Sequence, residues 1–268
     1  MPQLRVNGYD MTYVEAGKGV PVILVHGTLC DCRYWALQLA ALGKTHRAIA
    51  PSLRYYYPAR WDGSGGDMAA EHIADMVAFI SALDAGRVHL LGHSRGGYVA
   101  FGVARQAPQL LRSLILADPG GGLIESPAGG GTPASGPATL VGDCAELVKR
   151  GDIDGALRHF CETINGAGGW DGVPEIGRAM MRDNAYTLVG QARERRDPFS
   201  PAAMSAIKTP TLLINGALSG AYFHAIADAM LQHLPKARQV MIEGAGHTMN
   251  IEQPSAFNEA VIEFLAAH

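Results

Sequence analysis

Short, wholly apolar runs separated by amphipathic stretches constrain this chain more than any other feature. Pro21-Val22-Ile23-Leu24-Val25 has no polar position, and a strand without polar alternation must be covered on both faces. Comparable short runs recur at His46-Arg47-Ala48-Ile49-Ala50, Arg87-Val88-His89-Leu90-Leu91, Leu114-Ile115-Leu116-Ala117-Asp118, Thr211-Leu212-Leu213-Ile214-Asn215 and Gln239-Val240-Met241-Ile242. Between them lie helical patterns. Tyr34 to Leu42 has helical spacing, and Met68 to Leu83 carries Ala69, Ile73, Met76, Val77 and Ile80 on one face. Tyr222 to Leu234 and Ala256 to Ala267 complete the series. Strand and helix in this rhythm predict an α/β fold, a mostly parallel sheet with helices on both sides, in which sites form at the C-terminal ends of the strands. Gln3 to Val6 and Asp10 to Val14 alternate around Asn7-Gly8-Tyr9, which predicts an antiparallel entry hairpin.

The rhythm stops at residues 120–138, where Gly120-Gly121-Gly122, Gly129-Gly130-Gly131 and several prolines oppose regular structure. From about Thr139 to Arg196 the pattern is helical without strands, so a helical layer is inserted into the sheet-forming chain. The expected division is a core of residues 1–119 and 206–268, with 120–205 forming a glycine-rich linker and a helical cap. No internal repeat is evident.

Composition limits the partners. Among 268 residues, 48% are hydrophobic, enough for a sizeable core, and the formal charge of −3 leaves no basic footprint for nucleic acid. No apolar run approaches the roughly 18 residues that span a bilayer, and the first residues lack a basic and apolar leader pattern. The expectation is a cytoplasmic enzyme or binding protein with a small-molecule partner, without nucleic acid or membrane. Cysteines 30, 32, 144 and 161 show no metal-ligand spacing, so reduced thiols and no bound metal are expected.

One turn stands out chemically. Gly92-His93-Ser94-Arg95-Gly96 lies between an apolar strand and the helical pattern that opens at Tyr98. A serine at the tip of so sharp a reversal leaves no room for bulk on either side, which accounts for the glycines of the G-x-S-x-G spacing. A serine hydroxyl needs a base, and the base needs a third group to orient it. His247, on the glycine-rich turn after the last strand, is the candidate base. For the acid, two strand ends qualify. Asn215-Gly216-Ala217-Leu218-Ser219-Gly220 contains no carboxylate, whereas Asp118 directly ends the strand next to that of Ser94. Asp118 is therefore the candidate acid, and Ser219 is expected to matter little. The backbone N–H groups of Thr28 and Arg95 are the candidate oxyanion donors.

Val25-His26-Gly27, the Ser94 turn with Gly97, Gly246-His247 and Glu252-Gln253-Pro254 together resemble the α/β-hydrolase superfamily over essentially the whole chain. The resemblance implies an eight-stranded, mostly parallel sheet flanked by helices, a helical cap, and Ser94, Asp118 and His247 as a triad. Most relatives place the acid after the strand that here ends at Asn215. The position of Asp118 resembles a subset that includes some lactone hydrolases and the cofactor-free dioxygenases of quinolones. Pro51 to Trp61 departs from the Asp-x-Arg-Gly-x-Gly turn common in relatives and keeps only Arg54. Its tyrosines suggest an aromatic wall. Tyr34, Trp35, Arg54 and Tyr55 are accordingly candidate substrate contacts, while Phe160, Trp170, Met180, Met181 and Tyr186 are expected in a core.

These residues point first to hydrolysis of an ester, lactone or related acyl bond of a small apolar or aromatic molecule, with no cofactor. Serine at the turn argues against epoxide hydrolases and haloalkane dehalogenases of this fold, whose chemistry needs a carboxylate there; carbon–carbon bond hydrolysis uses the same three residues. Two alternatives are a cofactor-free dioxygenase of a heteroaromatic substrate and a non-catalytic ligand-binding protein. Thr28 stands where those dioxygenases resemble one another in carrying tryptophan.

Overall fold

A computed structural model describes residues 1–123 and 137–268. The strands are β1 (Gln3–Val6), β2 (Tyr9–Ala16), β3 (Pro21–Val25), β4 (Arg47–Pro51), β5 (Val88–His93), β6 (Leu111–Ala117), β7 (Thr211–Gly216) and β8 (Ala237–Ile242). They form one eight-stranded sheet in the order β1-β2-β4-β3-β5-β6-β7-β8. The β1–β2 and β2–β4 pairings are antiparallel and all others parallel. The entry hairpin thus forms one edge, and β5, which leads into Ser94, lies between β3 and β6.

The helices in chain order are α1 (Ala36–Leu42), α2 (Met68–Ala82), α3 (Arg95–Gln106), α4 (Pro137–Lys149), α5 (Ile153–Asn165), α6 (Glu175–Asn184), α7 (Thr187–Gln191), α8 (Pro201–Ala206), α9 (Ala221–His233), α10 (Met249–Glu252) and α11 (Pro254–Ala266). The wholly apolar strands are explained by what covers them. In β3, Ile23 and Val25 join Met76 and Phe79 of α2 and Val99 and Val103 of α3, whereas Val22 and Leu24 join Leu42 of α1 and Phe257, Val261 and Phe264 of α11. Alternate side chains leave opposite faces of a strand, so both sets must be apolar.

A third cluster lies outside these two. Leu140, Val141, Cys144 and Val148 of α4, Ala156, Leu157 and Cys161 of α5, Met181 of α6 and Leu188 and Val189 of α7 pack with Trp170 and with Leu29 from the core. Within the expected helical layer, α6 and α7 are separate helices although only two residues part them. Thr187 Oγ1 donates to the Asn184 carbonyl at 2.7 Å, and the Leu188 N–H turns to the Ala185 carbonyl three residues back. That arrangement takes the acceptor a continuing α-helix would use. Helix α8 carries a signal that the hydrophobic pattern does not contain: Ser200 caps it by accepting from Ala203 N–H, and Pro201 occupies its first turn. Of the stretch expected to be irregular, residues 124–136 lie outside the described residues, and α4 begins at Pro137.

Candidate active site

Ser94 stands between β5 and α3 with φ 53° and ψ −122°, a conformation that costs energy for any residue with a side chain. Hydrogen bonds hold it there. Its N–H donates to the Ala117 carbonyl at 2.9 Å, and its own carbonyl accepts from Gly97 at 2.8 Å and Gly120 at 2.9 Å. The flanking glycines are required by contact: a Cβ on Gly92 would lie 2.2 Å from the Gly96 carbonyl oxygen, and one on Gly96 would lie 2.2 Å from that of Val25. The turn at Gly27 runs hard against the serine, with its missing Cβ position 3.1 Å from Ser94 Cβ.

His247 and Asp118 meet where the ends of β6, β7 and β8 converge. His247 Nδ1 is 3.1 Å from Asp118 Oδ2. The carboxylate is fully buried and also receives Asn215 Nδ2 at 2.7 Å on Oδ1 and Ser219 Oγ at 2.5 Å on Oδ2. The end of β7, which supplies no carboxylate, supplies two donors instead. Ser219 is therefore a direct partner of Asp118. Asp118 itself takes a φ of 39°, with its N–H on the Ile214 carbonyl at 2.9 Å.

The imidazole of His247 packs against two rings. Phe223 stacks on it with centroids 4.0 Å apart, and His93 lies 4.7 Å away at a 37° tilt. His93 Nε2 donates to the His247 carbonyl at 2.8 Å, which places the proton on that nitrogen. Burial pushes His93 down to about 3, so the ring is neutral and cannot compete as a cation. Glu252 fixes the rest of the loop, accepting from Gly246 N–H at 2.8 Å and from the Thr248 hydroxyl.

The two residues expected to supply oxyanion donors, Arg95 and Thr28, lie on the turns that meet at Ser94. Arg95 begins α3, and a first-turn N–H has no acceptor within its own helix. Thr28 follows His26 and Gly27, and His26 shapes that turn: Nδ1–H donates to the Gly27 carbonyl at 2.9 Å, and Nε2 accepts from Leu53 N–H at 3.0 Å. Burial lowers His26 to about 4, consistent with a neutral ring in that bonding pattern.

Of the expected substrate contacts, Tyr34 and Trp35 lie against His93, and Arg54 and Tyr55 lie against α2. Tyr34 stacks on His93 at 5.3 Å and donates to Asn250 Oδ1 at 2.7 Å, while Trp35 is fully buried edge-on to the same histidine. Both back the His93–Ser94 strand end. Arg54 forms a two-point ion pair with Asp75 of α2 at 2.7 and 2.8 Å, and the Tyr55 hydroxyl reaches Glu71 at 3.3 Å. Those contacts commit Arg54 and Tyr55 to α2 and join neither to Ser94, His247 nor Asp118. Trp170 and Met181 are in the core of the helical layer, with Phe160 and Tyr186 packed against it, and Met180 packs on the α1–α11 side of the sheet. Among the described residues, no group of three or more His, Cys, Asp or Glu has metal-binding geometry, and no helix is long and apolar enough to cross a membrane.

Phe223, Asn215, Asn250, Gln191 and Glu194 are the site-forming residues that the sequence reading missed. Only Asn215 carried a signal, as the polar end of a buried strand.

A strained serine turn at the end of a central parallel strand, with a histidine and a buried aspartate at the neighbouring strand ends, is the arrangement of an α/β-hydrolase enzyme. Residues 22–260 match the Alpha/beta hydrolase family, and the chain belongs to it. It is 28% identical over 262 residues to the putative carbamate hydrolase RutD of Pseudomonas savastanoi pv. phaseolicola (strain 1448A / Race 6), covering 92% of this chain and 93% of that protein. It is 31% identical over 173 residues to the soluble epoxide hydrolase of Corynebacterium sp. (strain C12), a match that spans 61% of this chain and 59% of that enzyme's length. In three dimensions it resembles a thermophilic esterase from Thermogutta terrifontis, solved with malate bound, with a TM-score of 0.77, 25% identity and coverage of 99% and 96% of the two chains.

Proposed function

We propose that this chain is a serine hydrolase that cleaves an ester, lactone or related acyl bond of a small molecule through an acyl-enzyme. The observation that carries the reading is the 3.1 Å contact of His247 Nδ1 with Asp118 Oδ2, made beside the strained turn that presents Ser94. With its Nδ1–H donated to the carboxylate, His247 keeps the Nε2 lone pair for the serine proton. Ser94 Oγ attacks the acyl carbon as His247 takes that proton, and the tetrahedral oxyanion accepts from the N–H groups of Thr28 and Arg95. Collapse expels the alcohol, which regains the proton from His247. Water, deprotonated by the same histidine, then attacks the acyl-enzyme and releases the acid with Ser94 restored.

The hydrolase relatives support this over oxygenation or simple ligand binding, and the esterase likeness supports acyl substrates. Similarity to an epoxide hydrolase does not transfer that chemistry, since Ser94 stands where displacement would need a carboxylate. The helices from α4 to α7 form the cap over the site, and the cytoplasm is the compartment in which four free thiols persist.

A fluorophosphonate probe is expected to label the wild type, and Ser94→Ala to abolish labelling. A panel of p-nitrophenyl esters and lactones, with Ser94→Ala as blank, identifies the substrate class. A folded wild type that neither labels nor turns over any of them would overturn the reading.

A further inference from the structure

The two residues whose N–H groups serve the oxyanion are fastened by their side chains to one stretch of the helical layer. Thr28 Oγ1 donates to Gln191 Oε1 at 3.0 Å. Arg95 Nη2 donates to Glu194 Oε2 at 2.7 Å. Gln191 ends α7 and Glu194 follows three residues later, its N–H on the Gln191 carbonyl at 3.2 Å. One turn of chain therefore grips both sides of the site.

We propose that Gln191 and Glu194 are positioning residues for the oxyanion site, fixing where the Thr28 and Arg95 N–H groups point. The inference rests on the serine hydrolase reading of the same site. The backbone after Thr28 needs such a hold: Leu29 takes a φ of 62°, a strained conformation for a leucine, and the nearest loop hydrogen bond, Cys30 N–H to the Gly27 carbonyl, is long at 3.4 Å. Gln191 is itself immobilised, since its Nε2 donates to Tyr56 Oη at 3.0 Å and to Thr187 Oγ1 at 3.2 Å in a buried setting. The Arg95 and Glu194 side chains are 2% and 3% exposed, so their ion pair is neither screened nor free to exchange with water. Arg95 Nη1 also meets His72 Nδ1 at 2.9 Å, and His72 is set by its Nε2–H bond to the Arg54 carbonyl at 2.9 Å. Arg196 holds Glu194 from its other oxygen. A small displacement of an oxyanion donor costs transition-state stabilisation while leaving ground-state binding nearly intact.

Thr28→Val removes the hydroxyl and keeps both shape and backbone N–H; Gln191→Met removes its acceptor. With p-nitrophenyl acetate, each is expected to lower kcat about tenfold with KM nearly unchanged, and the double variant to lose no more than either alone. Affinity for phenylboronic acid, whose adduct with Ser94 places an anionic oxygen in the same site, is expected to fall by the same factor. Thr28→Ser restores both readouts, and Glu194→Gln, which keeps an acceptor for Arg95, loses less than either removal. If Gln191→Met does not fold, Thr28→Val carries the same test. A wild type without Ser94-dependent turnover would remove the hydrolase reading and this inference together. With an active wild type, unchanged kcat in both removals, or lower kcat at unchanged boronate affinity, would overturn the inference alone, the latter being the mark of a purely structural fastening.

Discussion

Phe223 lies face to face with His247, the ring centroids 4.0 Å apart and the planes 17° from parallel. His93 also lies 4.7 Å from the imidazole, so the ring has little freedom to rotate away from Asp118. In the proposed mechanism the cation that His247 becomes on taking the serine proton lies against the π face of Phe223, a favourable contact. Phe223→Leu is expected to lower kcat/KM about fivefold through that loss and the looser ring, and Phe223→Tyr to stay close to wild type. Steady-state kinetics on one ester checks both; a Leu variant as active as wild type would sink the role.

Asp118 is held by three donors, from His247, Asn215 and Ser219. Asp118→Asn places a neutral amide against the His247 N–H and is expected to lower kcat about 10⁴-fold, by analogy with the loss of a triad aspartate. Ser219→Ala leaves the carboxylate in place with one hydrogen bond fewer, and a bond to a charged group contributes about 1.5–3 kcal/mol. Its expected phenotype is a lower melting temperature and about a tenfold fall in kcat, well short of the Asn substitution. Equal effects from the two substitutions would mean that Ser219 does more than hold the acid.

How much of this was legible in the sequence follows from which interactions are local. The Ser94 turn, the apolar strands and the ends at Asp118 and His247 are written in short, contiguous patterns, and glycine spacing reports backbone contact directly: Gly96 has no Cβ because Val25 is 2.2 Å from where it would be. The holders of the site come from far along the chain. Phe223 to His247, Tyr34 to Asn250 and Thr28 to Gln191 are side-chain meetings made by packing, and no periodicity marks them. Arg54 shows the converse. It keeps its place in a family-like loop, but Asp75 lies beside it on α2 and takes its guanidinium.

Glycine positions give opposite predictions according to what surrounds them. Gly96→Ala forces a methyl into the Val25 and His26 carbonyls, backbone that cannot step aside without breaking the β3–β5 register. It is expected to cost about 3 kcal/mol or more and to abolish phosphonate labelling. Gly142 lies in α4 with nothing within 4 Å of a Cβ. Gly142→Ala is expected to stabilise by about 0.5–1 kcal/mol, since alanine loses less backbone entropy on entering a helix. Thermal melts of both against wild type check the pair.

Stability should fall steeply in mild acid because several histidines are folded in neutral form. Burial lowers His26 and His89 to about 4 and His93 to about 3, against an ordinary value near 6.5. Between those values and 6.5 the unfolded chain binds a proton at each position that the folded chain refuses, so protons favour unfolding. The stability these groups support is complete above about pH 6.5 and is lost as pH drops towards 4, at up to about 1.4 kcal/mol per pH unit for each histidine. Urea unfolding at pH 7, 5.5 and 4.5 is expected to show this decline. His89 offers a clean control, because it pairs with Ser113 Oγ at 2.7 Å at the far end of β5 from Ser94. His89→Gln keeps a polar partner for that hydroxyl and removes one titrating group, so it should flatten the pH dependence by about one proton's share while leaving turnover at pH 7 unchanged. A variant whose stability declines with acid as steeply as wild type would show that His89 is not among the groups that set the slope.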